Sequence, residues 1–272
     1  MFVITGATGN VGAEVVRLLA AAGEQVTAVL RNPAPQPAGV RHVAADLGDP
    51  ASLEAAFAGA SALLLLVAGQ EPEAVMKTAK EAGIRRVVLL SSQGAGTRPG
   101  QYAHPAAFED AVRASGLEWT ILRPSGFYTN TLAWAGSVRA RQAAAAPFAD
   151  VALPFIDPAD IAEVAATVLR QDGHAGRTYV LTGPEPITPR QRAAAIGRAL
   201  GAEVRFTEQS REEARTEMSR FMPAEVVEAT LDVLGAPTAA EQQVSPDVAA
   251  VLGRPARTFA GWAARHAAAF RP

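Results

Sequence analysis

Three glycines, Gly6, Gly9 and Gly12, recur at every third position of Thr5-Gly6-Ala7-Thr8-Gly9-Asn10-Val11-Gly12, directly after the apolar Met1-Phe2-Val3-Ile4. Ala13-Glu14-Val15-Val16-Arg17-Leu18-Leu19 follows with helical spacing of its apolar residues. A strand, a glycine turn and a helix in that order aim backbone N–H groups and the positive end of a helix at one point, which is chemistry for holding a pyrophosphate. Any tight turn selects glycine, so the triplet alone is a weak signal. Its context is stronger: a second strand, Gln25–Leu30, arrives after the helix and Gly23, although the spacing is Gly-x-x-Gly-x-x-Gly rather than Gly-x-Gly-x-x-Gly.

A dinucleotide there leaves the choice of nucleotide to the end of the second strand. An acidic residue at that place holds a ribose 2′-hydroxyl, whereas this chain has Arg31, in Leu30-Arg31-Asn32-Pro33. A guanidinium suits a 2′-phosphate, so the expectation is NADP(H) over NAD(H); the alternative is an exposed strand-end arginine with no ligand. Asp46, after the third strand, is placed to accept from an adenine amino group. Asp49, Asp157 and Asp160 suggest carboxylate chemistry but are explained more simply as helix caps and first-turn residues.

Composition narrows the remaining chemistry. The 272 residues carry a formal charge of -2, which gives no drive toward nucleic acid or membrane surfaces, and contain no cysteine, which excludes disulfides, thiolate nucleophiles and cysteine zinc sites. No His or carboxylate cluster suggests another metal site. The longest uncharged apolar run, about Ala60 to Gly69, falls far short of the roughly 20 residues that span a bilayer and suits a buried parallel strand. A soluble cytoplasmic protein is expected.

The elements that must position these residues alternate regularly. Apolar runs at 2–5, 25–30, 40–44, 62–68, 86–91, 117–122 and 177–182 read as strands. Asp49-Pro50, Glu71-Pro72 and Asp157-Pro158 open helices, and Gly23, Gly83 and Gly116 close them. The expected fold is α/β, a doubly wound parallel (Rossmann) sheet over 1–182, with 183–272, joined by parts of 125–155, forming a smaller, mainly helical substrate or lid domain. In that tail Thr188-Pro189-Arg190-Gln191 resembles a capping box, Gly201 ends its helix, Ser210 and Ser245-Pro246 look like later caps, and a short strand is placed near Val204–Phe206.

Together with Val88-Leu89-Leu90-Ser91-Ser92, Ser115–Pro124, Asp160-Ile161-Ala162 and Tyr179–Glu185, these runs resemble the NmrA-like branch of the atypical short-chain dehydrogenase/reductase superfamily over nearly the whole chain. That branch includes bacterial NADPH-dependent quinone oxidoreductases. The resemblance implies NADP(H) with Gly6, Thr8, Gly9, Asn10, Val11 and Gly12 around the pyrophosphate, Arg31 at the 2′-phosphate, and Asp46 and Leu47 near adenine. It further implies Val67, Ala68, Gly69, Ser91 and Ser92 along the path from ribose to nicotinamide, and Pro124 and Phe127 approaching the nicotinamide.

The superfamily's usual carbonyl reduction uses Tyr-x-x-x-Lys after the fifth strand. Here Tyr102 is followed four places on by Ala106, and the two lysines, Lys77 and Lys80, precede that strand. Quinone reduction tolerates the loss, because an electron-poor acceptor stabilises the charge that arrives with hydride. His104, in Ala103-His104-Pro105, reads either as a proton donor or as a loop residue at a helix start; Tyr128 reads as a hydrogen-bond donor to substrate or as a pocket wall. Gln93, Asn130 and Trp134 join the expected substrate pocket, Trp134 reading equally as core. The expected function is an NADPH-dependent reductase of a quinone or related activated carbonyl compound, acting on a small molecule as monomer or homodimer. Two alternatives stay open: a dinucleotide-binding redox sensor with little turnover, and a narrow-specificity tailoring reductase of an aromatic or polyketide pathway.

Overall fold

The computed structural model describes residues 1–32, 34–69 and 71–272; Pro33 of the Arg31-Asn32-Pro33 run lies outside the described residues. Among the described residues nine strands run in chain order: β1 Phe2–Ile4, β2 Val26–Leu30, β3 Arg41–Ala44, β4 Ala62–Leu66, β5 Arg86–Leu90, β6 Glu118–Pro124, β7 Ala143–Pro147, β8 Arg177–Leu181 and β9 Arg205–Gln209. The chain divides into two compact units. One comprises Met1–Pro124, Pro158–Leu181 and Asp247–Gly253; the other comprises Ser125–Asp157, Thr182–Pro246 and Arg254–Pro272.

The first unit is a seven-stranded, wholly parallel sheet of order β3-β2-β1-β4-β5-β6-β8. Its inner strands, such as Val26-Thr27-Ala28-Val29-Leu30, lack polar alternation because helices cover both faces, so every position is buried. The helix Gly12–Ala21 buries Val15, Val16 and Leu19, and Pro72–Glu81 buries Val75, Met76 and Ala79, each a single stripe at helical spacing. Phe57 and Phe108 are fully buried in one cluster with Leu53, Leu63 and Ile121. Each such aromatic contributes about 2–3 kcal/mol by leaving water. β1 pairs in parallel with both β2 and β4, so the strand order reverses between β1 and β4, and in open parallel sheets ligands bind beyond the carboxyl ends of the strands at such a reversal.

The second unit packs Tyr128, Phe155, Ile196, Phe259, Trp262 and Phe270 into its own core. Its helix Pro189–Leu200 begins with the expected capping box, Thr188 Oγ1 accepting from Gln191 N at 3.1 Å and Gln191 Oε1 from Thr188 N at 2.9 Å, and ends at Gly201 with φ +68°. Ser210 forms a second box with Glu213. The strand expected near 204–206 is β9, and it pairs in parallel with β7, which the sequence does not announce. Alanine is a poor strand former, so four of them in Ala143–Pro147 give no strand signal, and pairing with β9 overrides the propensity. Among the described residues no helix is long and apolar enough to cross a membrane.

Candidate functional site

The glycine turn follows β1 at the reversal of strand order. Gly6 takes φ +62°, and Gly9 N donates to Gly6 O at 2.9 Å, so the chain doubles back before the helix. A Cβ on Gly12 would stand 2.2 Å from Gly6 O and 2.8 Å from Gly6 C, which makes this glycine a requirement for helix and turn to touch. Val11 at the helix N-cap makes no side-chain capping bond, and Thr8, Gly9 and Asn10 ahead of it are exposed. The positive end of the helix thus lies beside an exposed turn. Thr5 fixes the base: its Oγ1 donates to Leu64 O at 2.9 Å and accepts from Leu66 N at 2.8 Å, tying β1 to β4.

Loops after the neighbouring strands surround the turn. Arg31 follows β2, is exposed, and forms no ion pair with any described residue. Asp46 follows β3, where Oδ1 accepts from Gly48 N at 2.9 Å and its own N–H donates to Ser52 Oγ, while Asp49 caps the next turn by accepting from Ala51 N. Gly69 has φ +83°, and a Cβ there would fall 2.3 Å from Leu47 O, so the loop carrying Val67, Ala68 and Gly69 lies against the one carrying Asp46 and Leu47. His104, exposed in the helix Ala103–Ala114, sets Nε2 at 2.7 Å from Gly69 O. A carbonyl only accepts, so this contact places the proton on Nε2.

Ser91, Ser92 and Gln93 follow β5. Ser92 caps the short helix Gln93–Thr97 by accepting from Gly94 N at 3.2 Å, and Gln93 is buried. Ser91 enters a network that the sequence reading missed. Its hydroxyl donates to Glu109 Oε1 at 2.6 Å; Arg123 donates Nε to the same oxygen at 2.9 Å and Nη2 to Oε2 at 2.6 Å, and Arg113 Nη2 adds a bond of 2.7 Å. Glu109 is 1% exposed. Burial pushes its carboxyl upward, but the bonds from Arg123, Ser91 and Arg113 outweigh it and hold the group below the ordinary carboxylate value. Arg123 crosses so near Gly96 that a Cβ there would stand 2.2 Å from Nη1, and the Tyr102 ring lies against Gly94 in the same way. The available signal was Arg123 beside Pro124 with Glu109 and Arg113 four apart on a helix. Lys80 donates to Ser115 O.

The second unit holds the other candidates. Phe127 bridges Ile156, and Tyr128 N donates to Ile156 O at 2.8 Å. Tyr128 itself is fully buried, edge-on to Phe259, with its hydroxyl donating to Arg257 O at 3.2 Å. Asn130 is exposed. Trp134 is half-buried and stands between Phe206, at 6.2 Å, and the Arg192 guanidinium, at 5.5 Å. Arg192 also covers the Phe155 ring at 4.5 Å; burial pushes its pKa down to about 10, opposed by the nearby Tyr128. Asp157 is buried and paired with Arg265.

The NAD(P)H-binding family pattern matches residues 6–172, the span from the glycine turn past β6. The chain belongs to this NAD(P)H-binding family. Its residues fit the nucleotide: the Gly6–Gly12 approach leaves an exposed turn at the start of a helix, and Arg31, exposed at the end of β2, makes no ion pair among the described residues. A reductase of Streptomyces griseus, "(4-alkanoyl-5-oxo-2,5-dihydrofuran-3-yl)methyl phosphate reductase", is 38% identical with 100% of each chain covered. The NAD(P)H azoreductase of Xenophilus azovorans is 33% identical over 99% of each chain. Among solved structures, the NADPH-dependent quinone oxidoreductase of Escherichia coli complexed with NADPH superposes with a TM-score of 0.83 at 28% identity, covering 97% of this chain and 99% of that one. The family member described here is an NAD(P)H-dependent oxidoreductase, related to quinone oxidoreductase and azoreductase.

Proposed function

We propose that the chain uses NADPH to reduce an electron-poor conjugated acceptor, a quinone or a related activated carbonyl compound. The observation that carries the choice of acceptor is the composition of the helix after β5: Ala106 stands four residues after Tyr102, and neither Tyr128 nor Tyr179 is followed at that spacing by lysine. Without a lysine-activated phenol, a simple carbonyl oxygen would develop charge with no strong acid beside it. A quinone delocalises that charge and then takes a solvent proton, so binding and orientation supply the catalysis. Bound NADPH supplies the hydride, and one further proton completes reduction of quinone to hydroquinone. The relatives support the class, since their names describe reduction of a quinone, an azo compound and an unsaturated lactone, each an electron-poor conjugated system.

Arg31 supports NADPH over NADH because, among the described residues, no carboxylate pairs with its exposed guanidinium. Of the two candidate proton donors, His104 keeps the better claim. Both hydrogen-bond a backbone carbonyl, His104 that of Gly69 and Tyr128 that of Arg257, but His104 is exposed whereas the Tyr128 hydroxyl is buried. Acceptor-dependent loss of reduced-nicotinamide absorbance across a panel of quinones, azo compounds and simple ketones tests the reading. Turnover of the first groups and not of ketones is expected; tight NADPH binding with no turnover of any acceptor would replace the reductase by a sensor.

A further inference from the structure

Arg192 is a buried cation with almost nothing to satisfy it. The residue is 7% exposed, Nε has no hydrogen-bond partner, and Nη1 makes one long bond, 3.4 Å, to Thr131 Oγ1. No further hydrogen bond and no carboxylate within ion-pair distance reaches it among the described residues. A guanidinium carries five N–H donors, so most of its capacity is unused. It is also the fourth residue of the helix Pro189–Leu200, in the first turn, where the helix end is already positive and favours acidic rather than basic side chains.

Packing does not account for this placement. The rings of Phe155 and Trp134 lie 4.5 Å and 5.5 Å from the guanidinium carbon and attract it. Such contacts are weaker than the several kcal/mol that burying an unpaired charge costs. A neutral side chain of the same length would occupy the slot with less penalty. What the arrangement does hold together is a planar fork of donors, the Thr131 hydroxyl beside it, and two aromatic rings.

We propose that Arg192 is an anion receptor within the second unit, taking the carboxylate, sulfonate or phosphate of an aromatic or conjugated substrate whose rings pack beside Trp134. This rests on the reading of the protein as a reductase of conjugated acceptors, and it narrows that class to acceptors bearing an oxyanion. A free inorganic anion has the same chemistry, so the test separates the two sources.

Two measurements on the full-length protein and on R192M and R192Q decide it. Thermal unfolding in phosphate or sulfate, read against chloride at equal ionic strength, needs no turnover: a saturable rise in Tm for the wild type that both variants lack is expected. Steady-state kinetics then compare a naphthoquinone sulfonate with the uncharged naphthoquinone. In both variants KM for the sulfonate should rise about 10- to 100-fold more than KM for the neutral quinone, the loss of one charge-assisted bond. Anion stabilisation without that discrimination would mean an inorganic-anion site only and would overturn the substrate assignment. Equal anion effects on wild type and variants would overturn the receptor itself. Because removal of an unpaired charge relieves the apo protein, Tm of R192M in chloride should equal or exceed that of the wild type; a variant that unfolds or melts several degrees lower would make Arg192 a packing element and end the proposal. If no acceptor is reduced by any form, the anion arm still decides the receptor while the reductase reading falls separately.

Discussion

Replacing Gly12 by alanine tests the turn proposed to hold the nucleotide. The new Cβ would sit 2.2 Å from Gly6 O, with Gly6 C at 2.8 Å and Ala7 Cα at 3.2 Å, all backbone atoms that no rotamer change can remove. Restoring van der Waals separation requires the turn to withdraw from the helix by about 1 Å. Overpacking of this kind costs about 1–3 kcal/mol, which for a chain of this size lowers Tm by several degrees. The same displacement carries the turn's N–H groups out of bonding distance from a pyrophosphate. Losing two charge-assisted bonds, at about 1.5 kcal/mol or more each, weakens NADPH binding on the order of 100-fold. Titration calorimetry with NADPH and a melting curve measure both. G136A is the control, since nothing lies within 4 Å of its Cβ and its helix, Ala135–Arg141, gains a better helix former. A G12A protein with wild-type affinity and wild-type Tm would refute the close approach and the turn's role.

Substituting Arg31 by alanine should raise KM for NADPH about 10- to 100-fold while leaving KM for NADH nearly unchanged, measured with one quinone; equal effects on both nucleotides would remove Arg31 from the 2′-phosphate. E109Q should destabilise the protein by about 2–4 kcal/mol in urea unfolding, less than for a fully enclosed pair because Arg123 and Arg113 keep some exposure, 21% and 36% of their side chains. Since the Glu109 carboxyl is held below its ordinary 4.5, its contribution is complete above that pH and fades as pH falls through the folded value. The stability gap between wild type and E109Q should therefore close in acid; a gap independent of pH would assign the loss to packing.

The sheet was legible because strands covered on both faces become plain apolar runs, such as Leu63-Leu64-Leu65, and because proline and glycine mark where helices open and close. Strand β7 was hidden, since its four alanines carry no pattern and it exists by pairing with residues about 60 positions on. The Glu109 network was hidden for a related reason. Ser91, Glu109 and Arg123 are 14 to 18 residues apart in successive pairs, and only the fold shows that one carboxylate collects three partners. Arg192 gave no signal at all: within a capping-box helix it reads as one more exposed arginine, and its burial follows from Phe155 and Trp134 closing over it. The geometry of the glycine turn and the placement of Arg31 after β2 were legible because they are local, set by one strand end and one turn.

Direct transfer of hydride is the central claim, and isotopic label follows it most closely. NADPH carrying deuterium on the reactive nicotinamide carbon is incubated with the protein and an activated acceptor, with the unsaturated lactone preferred because its reduced carbon keeps the label. The account predicts one deuterium at the β-carbon of the product, and protium at that carbon when the label is placed in the solvent instead, solvent deuterium then entering only at the α-carbon that takes the proton. Product formed without label from NADPH, or NADPH bound stoichiometrically with no product, would contradict it.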